Sequence, residues 1–240
     1  MSVKSTVATR LIEVIKRGRG YTKSYRQFLG NVYGINPNDL VAVSRCAISV
    51  QRLFNQTVTA VQNIDNINKE LYLKPLSKLD RLGTTYNFDQ LTNDMFKSLD
   101  DNVMNSLEMM VDVVNSNIST ETIETEQATE LKADTTALIK EVQESDINAK
   151  LKVRLLASLH EILFALDIYA INGAEALDEA LERSIGVIVL SSSVSQQQQM
   201  TEIEKSTSKK VFGHIIKYST LVGAANALTQ IAEKAYNLLN

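Results

Sequence analysis

Apolar side chains return every third or fourth position along most of this chain, the period of an amphipathic helix rather than the alternation of a strand. Val7, Leu11, Val14 and Ile15 mark a first short helix, ended by "RGRG", where two glycines in three positions are poor helix formers. A second short helix is expected at about 22–29. In "GINPNDL", Asn36 reads as an N-cap, Pro37 as the first helical residue, whose missing N–H costs nothing there, and Asp39 as a first-turn acid facing the positive helix end.

Alternate steps of three and four from Leu40 then reach Val43, Ala47, Val50, Phe54, Thr57, Val61, Ile64, Asn68 and Leu71, eight of the ten positions apolar. Such a narrow seam suits coiled-coil-like packing, and unbroken it would span about 50 Å at 1.5 Å per residue. Pro75 ends it. Beyond Gly83, Asn87 with Gln90 resembles a capping box, and Phe88, Leu91, Met95, Leu99, Val103, Leu107, Met110 and Val114 form a second stripe. The two stripes predict an antiparallel helical hairpin.

The rhythm stops in "NSNISTETIETEQATE", where Ile118 and Ile123 are the only large apolar residues, and resumes at Leu131, Leu138, Ile139 and Val142. Ser145 or Asp146 is expected to cap the next helix, the most apolar in the chain, with Asn172-Gly173 ending it because both residues tolerate the left-handed conformation. A helix from about Ala174 to Leu190, a loop in "SSSVSQQQQM" and a final helix from about Ser208 to Leu239 complete the pattern. The final helix is apolar over most of its circumference between Val211 and Leu228.

Composition agrees. Two prolines and nine glycines in 240 residues leave few breakers, so the expected fold is all-α: an elongated antiparallel helical hairpin plus a more apolar helical bundle. The expected organisation is a basic N-terminal helical arm at 1–36, the hairpin at 37–118, an acidic Thr/Glu-rich connection at 119–130 and a C-terminal bundle at 131–240. Arg10, Glu13 and Lys16 interrupt the place where a secretory signal would need a continuous apolar run. His160, Glu161, Asp167, His214 and Lys217 interrupt the most apolar windows, so no stable membrane insertion is expected and the location expected is cytoplasmic. Cys46 is the single cysteine, cannot form an internal disulfide, and sits among helix-period apolar residues as a buried thiol.

Charge is uneven. Residues 1–36 carry seven Lys/Arg and one Glu, whereas 119–148 carry eight Asp/Glu and two Lys. Lys16, Arg17, Arg19, Lys23 and Arg26 interleave with Tyr21, Tyr25 and Phe28, a composition that can hold phosphates and stack bases, or dock on an acidic protein surface or on the chain's own acidic segment.

Three constellations suggest chemistry. Arg154, His160 and Asp167 lie inside the apolar helix, and "RLLASLH" resembles the Arg-to-His motif of the HEPN ribonucleases, an all-helical family that acts as a composite of two subunits. That resemblance implies a ribonuclease using Arg154 and His160. On one continuous helix, however, these two point about 120° apart, and an acid or base must converge on its substrate. Glu175, Asp178, Glu179 and Glu182 share one helix face and, with Glu141 and Glu144, resemble the carboxylate pairs of the all-helical nucleotide pyrophosphatases, which implies Mg²⁺ and nucleotide hydrolysis. The same stripe is also what a solvated amphipathic helix displays. His214 can pair with Tyr218 one turn on, as a hydrogen-bonded core histidine.

No zinc signature, paired Glu-x-x-His, P-loop, dinucleotide glycine motif or nucleophile elbow occurs. The expectation is therefore a non-enzymatic helical interaction or scaffold protein without a cofactor, working through a protein partner or a second copy of itself. An all-helical chain of this kind suits an accessory of a bacterial or phage conflict system. The alternatives are the small ribonuclease or Mg-dependent nucleotide-processing enzyme, nucleic-acid binding through the basic arm, and a membrane-active protein built on the apolar helices.

Overall fold

In the computed structural model, which describes residues 5–80, 87–118, 125–195 and 200–221, the described residues form eleven α-helices and one isolated antiparallel bridge, with no β-sheet. The chain is all-α. It divides into two units, the first made of residues 1–122 and 170–173, the second of 123–169 and 174–240.

Unit 1 begins with α1 (Val7–Arg19), whose N-cap Thr6 accepts from the Thr9 N–H. The Thr6 and Thr9 hydroxyls both donate to the Asn115 side-chain oxygen, at 2.6 and 3.1 Å, which ties the helix start to the last turn of the helix at Asp101–Asn117. α2 (Tyr25–Tyr33) ends on Gly34, whose φ of 71° is a left-handed C-cap that glycine adopts without steric cost. α3 (Leu40–Asn63) is capped by Asp39, not by Asn36: the Asp39 carboxylate accepts from the Val41 and Ala42 N–H groups, while Asn36 accepts from the Asn38 N–H in a preceding turn. Pro37 thus belongs to that turn and not to the helix.

The seam, which unbroken would run to Leu71, stops as a helix at Asn63. Ile64 turns to an extended conformation yet stays buried, and Asn66 takes a left-handed φ of 61°. α4 (Glu70–Ser77) follows, with Pro75 inside it. The second stripe is also interrupted: α5 (Thr92–Met95) is one turn, and Asp100 caps α6 (Asp101–Asn117) by accepting from the Val103 N–H. α1 packs on both α3 and α6, and Leu11, Ile15, Phe28, Val43, Val50, Leu107 and Val114 are essentially inaccessible.

Unit 2 contains α7 (Thr125–Glu144), so the end of the Thr/Glu-rich stretch is helical from Thr125 onward; 119–124 lie outside the described residues. α8 (Ala149–Asp167) is capped by Asn148, which accepts from the Lys150 N–H, rather than by Ser145 or Asp146. The helix ends at Asp167, and a separate turn, α9 (Tyr169–Asn172), whose residues from 170 onward belong to unit 1, leads to Gly173 with φ 65°. α10 (Ala174–Ser195) extends into the serine run expected to be a loop, and α11 (Glu202–Leu221) begins earlier than expected; the expected continuation to Leu239 lies outside the described residues. α8 packs on α7 and α10, and Leu155, Leu159, Ile162, Leu177, Leu181, Val211, Phe212 and Ile215 share one core.

Candidate functional site

The basic segment is stitched into unit 1. Residues 21–26 run antiparallel to 88–93, with the Tyr25 N–H donating to the Gln90 carbonyl at 2.9 Å, the Arg26 N–H to Phe88 at 3.0 Å and the Thr92 N–H to Lys23 at 2.9 Å. Three of its cations meet acids of the same unit: Lys16 with Glu108 at 2.8 Å, Arg19 with Asp101 at 3.5 Å and Arg26 with Asp89 at 3.0 Å. Glu108 holds the Lys16 ammonium above its ordinary proton affinity, against the smaller opposing effect of burial. Tyr25 is buried and stacks on Phe28, while the half-buried Tyr21 donates to the Gln27 carbonyl and accepts from Asn31. Arg17 and Lys23 are exposed. Salt bridges and core packing thus account for most of the residues that made this stretch look like a nucleic-acid surface.

The α8 constellation points in several directions. Asp167 is bound by Lys132 of α7 at 2.5 Å, and Glu161 by Arg183 of α10 at 3.8 Å. His160 is exposed and Arg154 half-buried. With 100° and 1.5 Å per residue, His160 and Asp167 share a face but stand about 10 Å apart, and Arg154 is directed elsewhere. Of the acidic stripe, Glu179 pairs with Arg183 at 3.6 Å, Asp178 is half-buried, Glu182 is exposed, and the side chain of Glu175 lies outside the described residues. Glu141 pairs with Lys210, and Glu144 with Lys140. Among the described residues no three His, Cys, Asp or Glu side chains are grouped to hold a metal ion. Cys46 is fully buried.

The closest-knit polar cluster lies where α7 meets α11. Thr135 donates to the Leu131 carbonyl at 2.8 Å, so its oxygen must accept from both His214 Nε2, at 3.0 Å, and the Tyr218 hydroxyl, at 2.9 Å. His214 and Tyr218 stack edge to face with ring centres 4.9 Å apart. The pairing expected between them is therefore mediated by Thr135. Burial lowers the proton affinity of His214, Asp134 opposes that, and Lys217 adds to it. Burial also pushes the Tyr218 phenol above its ordinary range. Both hydroxyls are sealed from solvent, so the cluster joins helices and presents no reactive oxygen to a substrate.

Two further features lie in unit 1. At the start of α3, Leu40, Val41 and Ile48 are 56, 71 and 50% exposed. The α3 sequence contains Arg45 and Arg52 but no Asp or Glu. An open cavity of about 580 Å³ lies among Ser77, Lys78, Asp80, Asp94, Met95, Lys97 and Ser98. Its Ser77 and Ser98 hydroxyls already donate to backbone carbonyls, and Lys97 pairs with Asp94.

Among the described residues, no helix is long and apolar enough to cross a membrane. No family model matches the chain, and no similar curated protein or solved structure was found.

Proposed function

We propose that this chain is a helical interaction module, working in the cytoplasm by binding a protein partner and not through a chemistry of its own. The observation that carries the reading is the outer face of α3. Val41, Arg45, Ile48 and Arg52 follow one another at i, i+4, i+7 and i+11, so apolar and basic side chains alternate along one stripe. Large apolar side chains exposed in this way along one helix face fit an amphipathic partner helix that would cover the apolar surface, with Arg45 and Arg52 on the same stripe. The finer architecture that goes with this reading is a helical hairpin around α3 and α6 and, in unit 2, the more apolar bundle.

The engagement of Asp167 by Lys132 and of Glu161 by Arg183, together with the divergence of Arg154 from His160, weighs against the enzymatic alternatives. The test is a photo-crosslinking residue at Ile48 in cells, with Val153 as an exposed control position in unit 2. The expected result is a discrete protein adduct at position 48 that disappears when Arg45 and Arg52 are both changed to Glu, with the purified chain monomeric by light scattering. An adduct only with a second copy of the chain, or none above the Val153 control, overturns the reading.

A further inference from the structure

The surface of α11 divides sharply. Val211, Phe212, Ile215 and Tyr218 are buried in the core of unit 2, while Lys210, His214 and Lys217, at i, i+4 and i+7, meet α7. Their partners on α7 run in the opposite order. Lys210 pairs with Glu141, His214 with Thr135, and Lys217 with Asp134 at 3.1 Å and Glu130 at 3.6 Å. This is an antiparallel seam of three polar rungs, and only the middle rung reaches the interior.

We infer that α11 is an acid-released strap: its seam with α7 opens when His214 takes up a second proton, exposing Val211, Phe212 and Ile215, while α7, α8 and α10 stay folded. With the Thr135 proton on the Leu131 carbonyl, its oxygen accepts from His214 and Tyr218 and so fixes neutral His214 with the proton on Nε2, leaving Nδ1 as the site of any second proton. A proton added at Nδ1 charges a ring that is mostly enclosed. The groups that act on it are few. From α7, Asp134 favours the charge but is already engaged by Lys217, and Glu130 shares that lysine; from α11 itself, Lys217 opposes it.

Among the described residues, no ion pair joins α8 or α10 to His214. Their fully buried side chains there are apolar apart from Ser158 and Ser184; Asp167, Glu161 and Glu179 are bound by Lys132 and Arg183, Asp178 is half-buried and Glu182 is exposed. The outer rungs are about half exposed and screened by solvent, so they cannot hold the helix alone. His214 is also the one side-chain type in the seam that ordinarily titrates near neutrality.

The direction follows from linkage. Folded His214 resists protonation relative to its ordinary value of 6.5, so the opened state binds the extra proton more readily. The contribution of His214 to the hold is complete above that value and is lost as pH falls below it. Opening is local because α8 packs more extensively on α7 and α10 than α11 does on any of the three, among the described residues.

Amide hydrogen exchange on the full chain, corrected for intrinsic rates, tests this at about pH 7.5 and about pH 5.5, a window that brackets histidine titration. The expected result is a roughly tenfold loss of protection in α11 at the lower pH with α8 and α10 unchanged. His214→Gln, which keeps an N–H to donate to Thr135 but cannot titrate, should abolish the response, and His160→Gln on the exposed histidine should leave it intact. In parallel, the ¹⁵N resonances of wild-type His214 should show the Nε2–H tautomer at the higher pH and titrate together with the loss of protection. Unchanged protection in α11, simultaneous loss throughout unit 2, or an undiminished response in His214→Gln each overturns the strap. Should His214→Gln fail to fold, a His214 titration that does not track the α11 exchange does the same.

Discussion

The ring of Phe96 occupies the space where a side chain on Gly18 would have to lie: a Cβ built there comes within 2.2 Å of Phe96 Cε2 and 2.7 Å of Cζ. Gly18 is inside α1, where glycine costs up to about 1 kcal/mol relative to alanine, so its presence is explained by packing and not by helix preference. Gly18→Ala should destabilise the protein by about 1–3 kcal/mol through overpacking, despite the better helix former. Gly213, inside α11 with nothing within 4 Å of its own Cβ position, should respond in the opposite sense, gaining about 0.5–1 kcal/mol on change to alanine. Urea unfolding of both variants reads the two signs directly.

This contrast marks what the sequence can disclose. Within the stripes the hydrophobic rhythm reports burial at most positions, though Leu40, Leu71 and Leu91 are exposed, and it does so across breaks in a helix: Ile64 keeps its place in the α3 seam and is buried, although its backbone is extended and the helix has ended. Met95, Leu99 and Val103 likewise stay in one buried stripe while the chain passes from α5 through a loop into α6. The all-helical class was therefore legible, whereas helix lengths were not. Caps failed for a different reason. "NPND" offers Asn36, Asn38 and Asp39 as acceptors, and only the three-dimensional turn shows which one faces the open N–H groups. For the candidate sites, composition revealed the cations of the basic segment but not Glu108, Asp101 and Asp89, which lie 63 or more positions away in sequence.

One missed signal was present in plain form. Thr201 and Glu204 make a capping box, the Thr201 hydroxyl accepting from the Glu204 N–H at 3.2 Å and the Glu204 carboxylate from the Thr201 N–H at 2.9 Å. The second carboxylate oxygen accepts from the Asn148 N–H at 3.1 Å, so a single side chain organises the starts of α11 and α8. The Thr201 N–H, joined by Asn148 and opposed by burial, holds Glu204 below its ordinary 4.5. Because the folded value is the lower one, this contribution is present above 4.5 and disappears as pH falls below it. Glu204→Ala should cost about 0.5–2 kcal/mol at neutral pH, the usual range for a lost cap, and the difference from wild type should shrink in acid. Thermal melts at about pH 7 and about pH 3 would show a constant difference if the carboxylate played no part.

Internal neutralisation of the basic segment makes a prediction about nucleic acid. If Glu108, Asp101 and Asp89 suppress its field, then Glu108→Gln, Asp101→Asn and Asp89→Asn together should raise affinity for a single-stranded oligonucleotide and steepen its salt dependence. Each exposed pair contributes only about 0–1 kcal/mol to stability, so the triple variant should still fold. Fluorescence anisotropy at low salt provides the measurement. Strong binding by the unaltered protein, undiminished by Arg17→Glu and Lys23→Glu, would show that the pairs do not govern this surface.

Thr135 can be tested without reference to acid. Thr135→Val preserves the shape of the side chain but removes the oxygen that receives the His214 N–H and the Tyr218 hydroxyl. The phenol, sealed from solvent, then loses its acceptor at a cost of about 1–3 kcal/mol, whereas Tyr218→Phe alone removes one hydrogen bond and should cost about 1 kcal/mol. Because phenylalanine needs no acceptor, the double variant should lose less than the sum of the two single losses. Equilibrium unfolding of all four proteins measures that coupling. Strict additivity would mean that Thr135 holds unit 2 together by filling space, with no part for its hydroxyl.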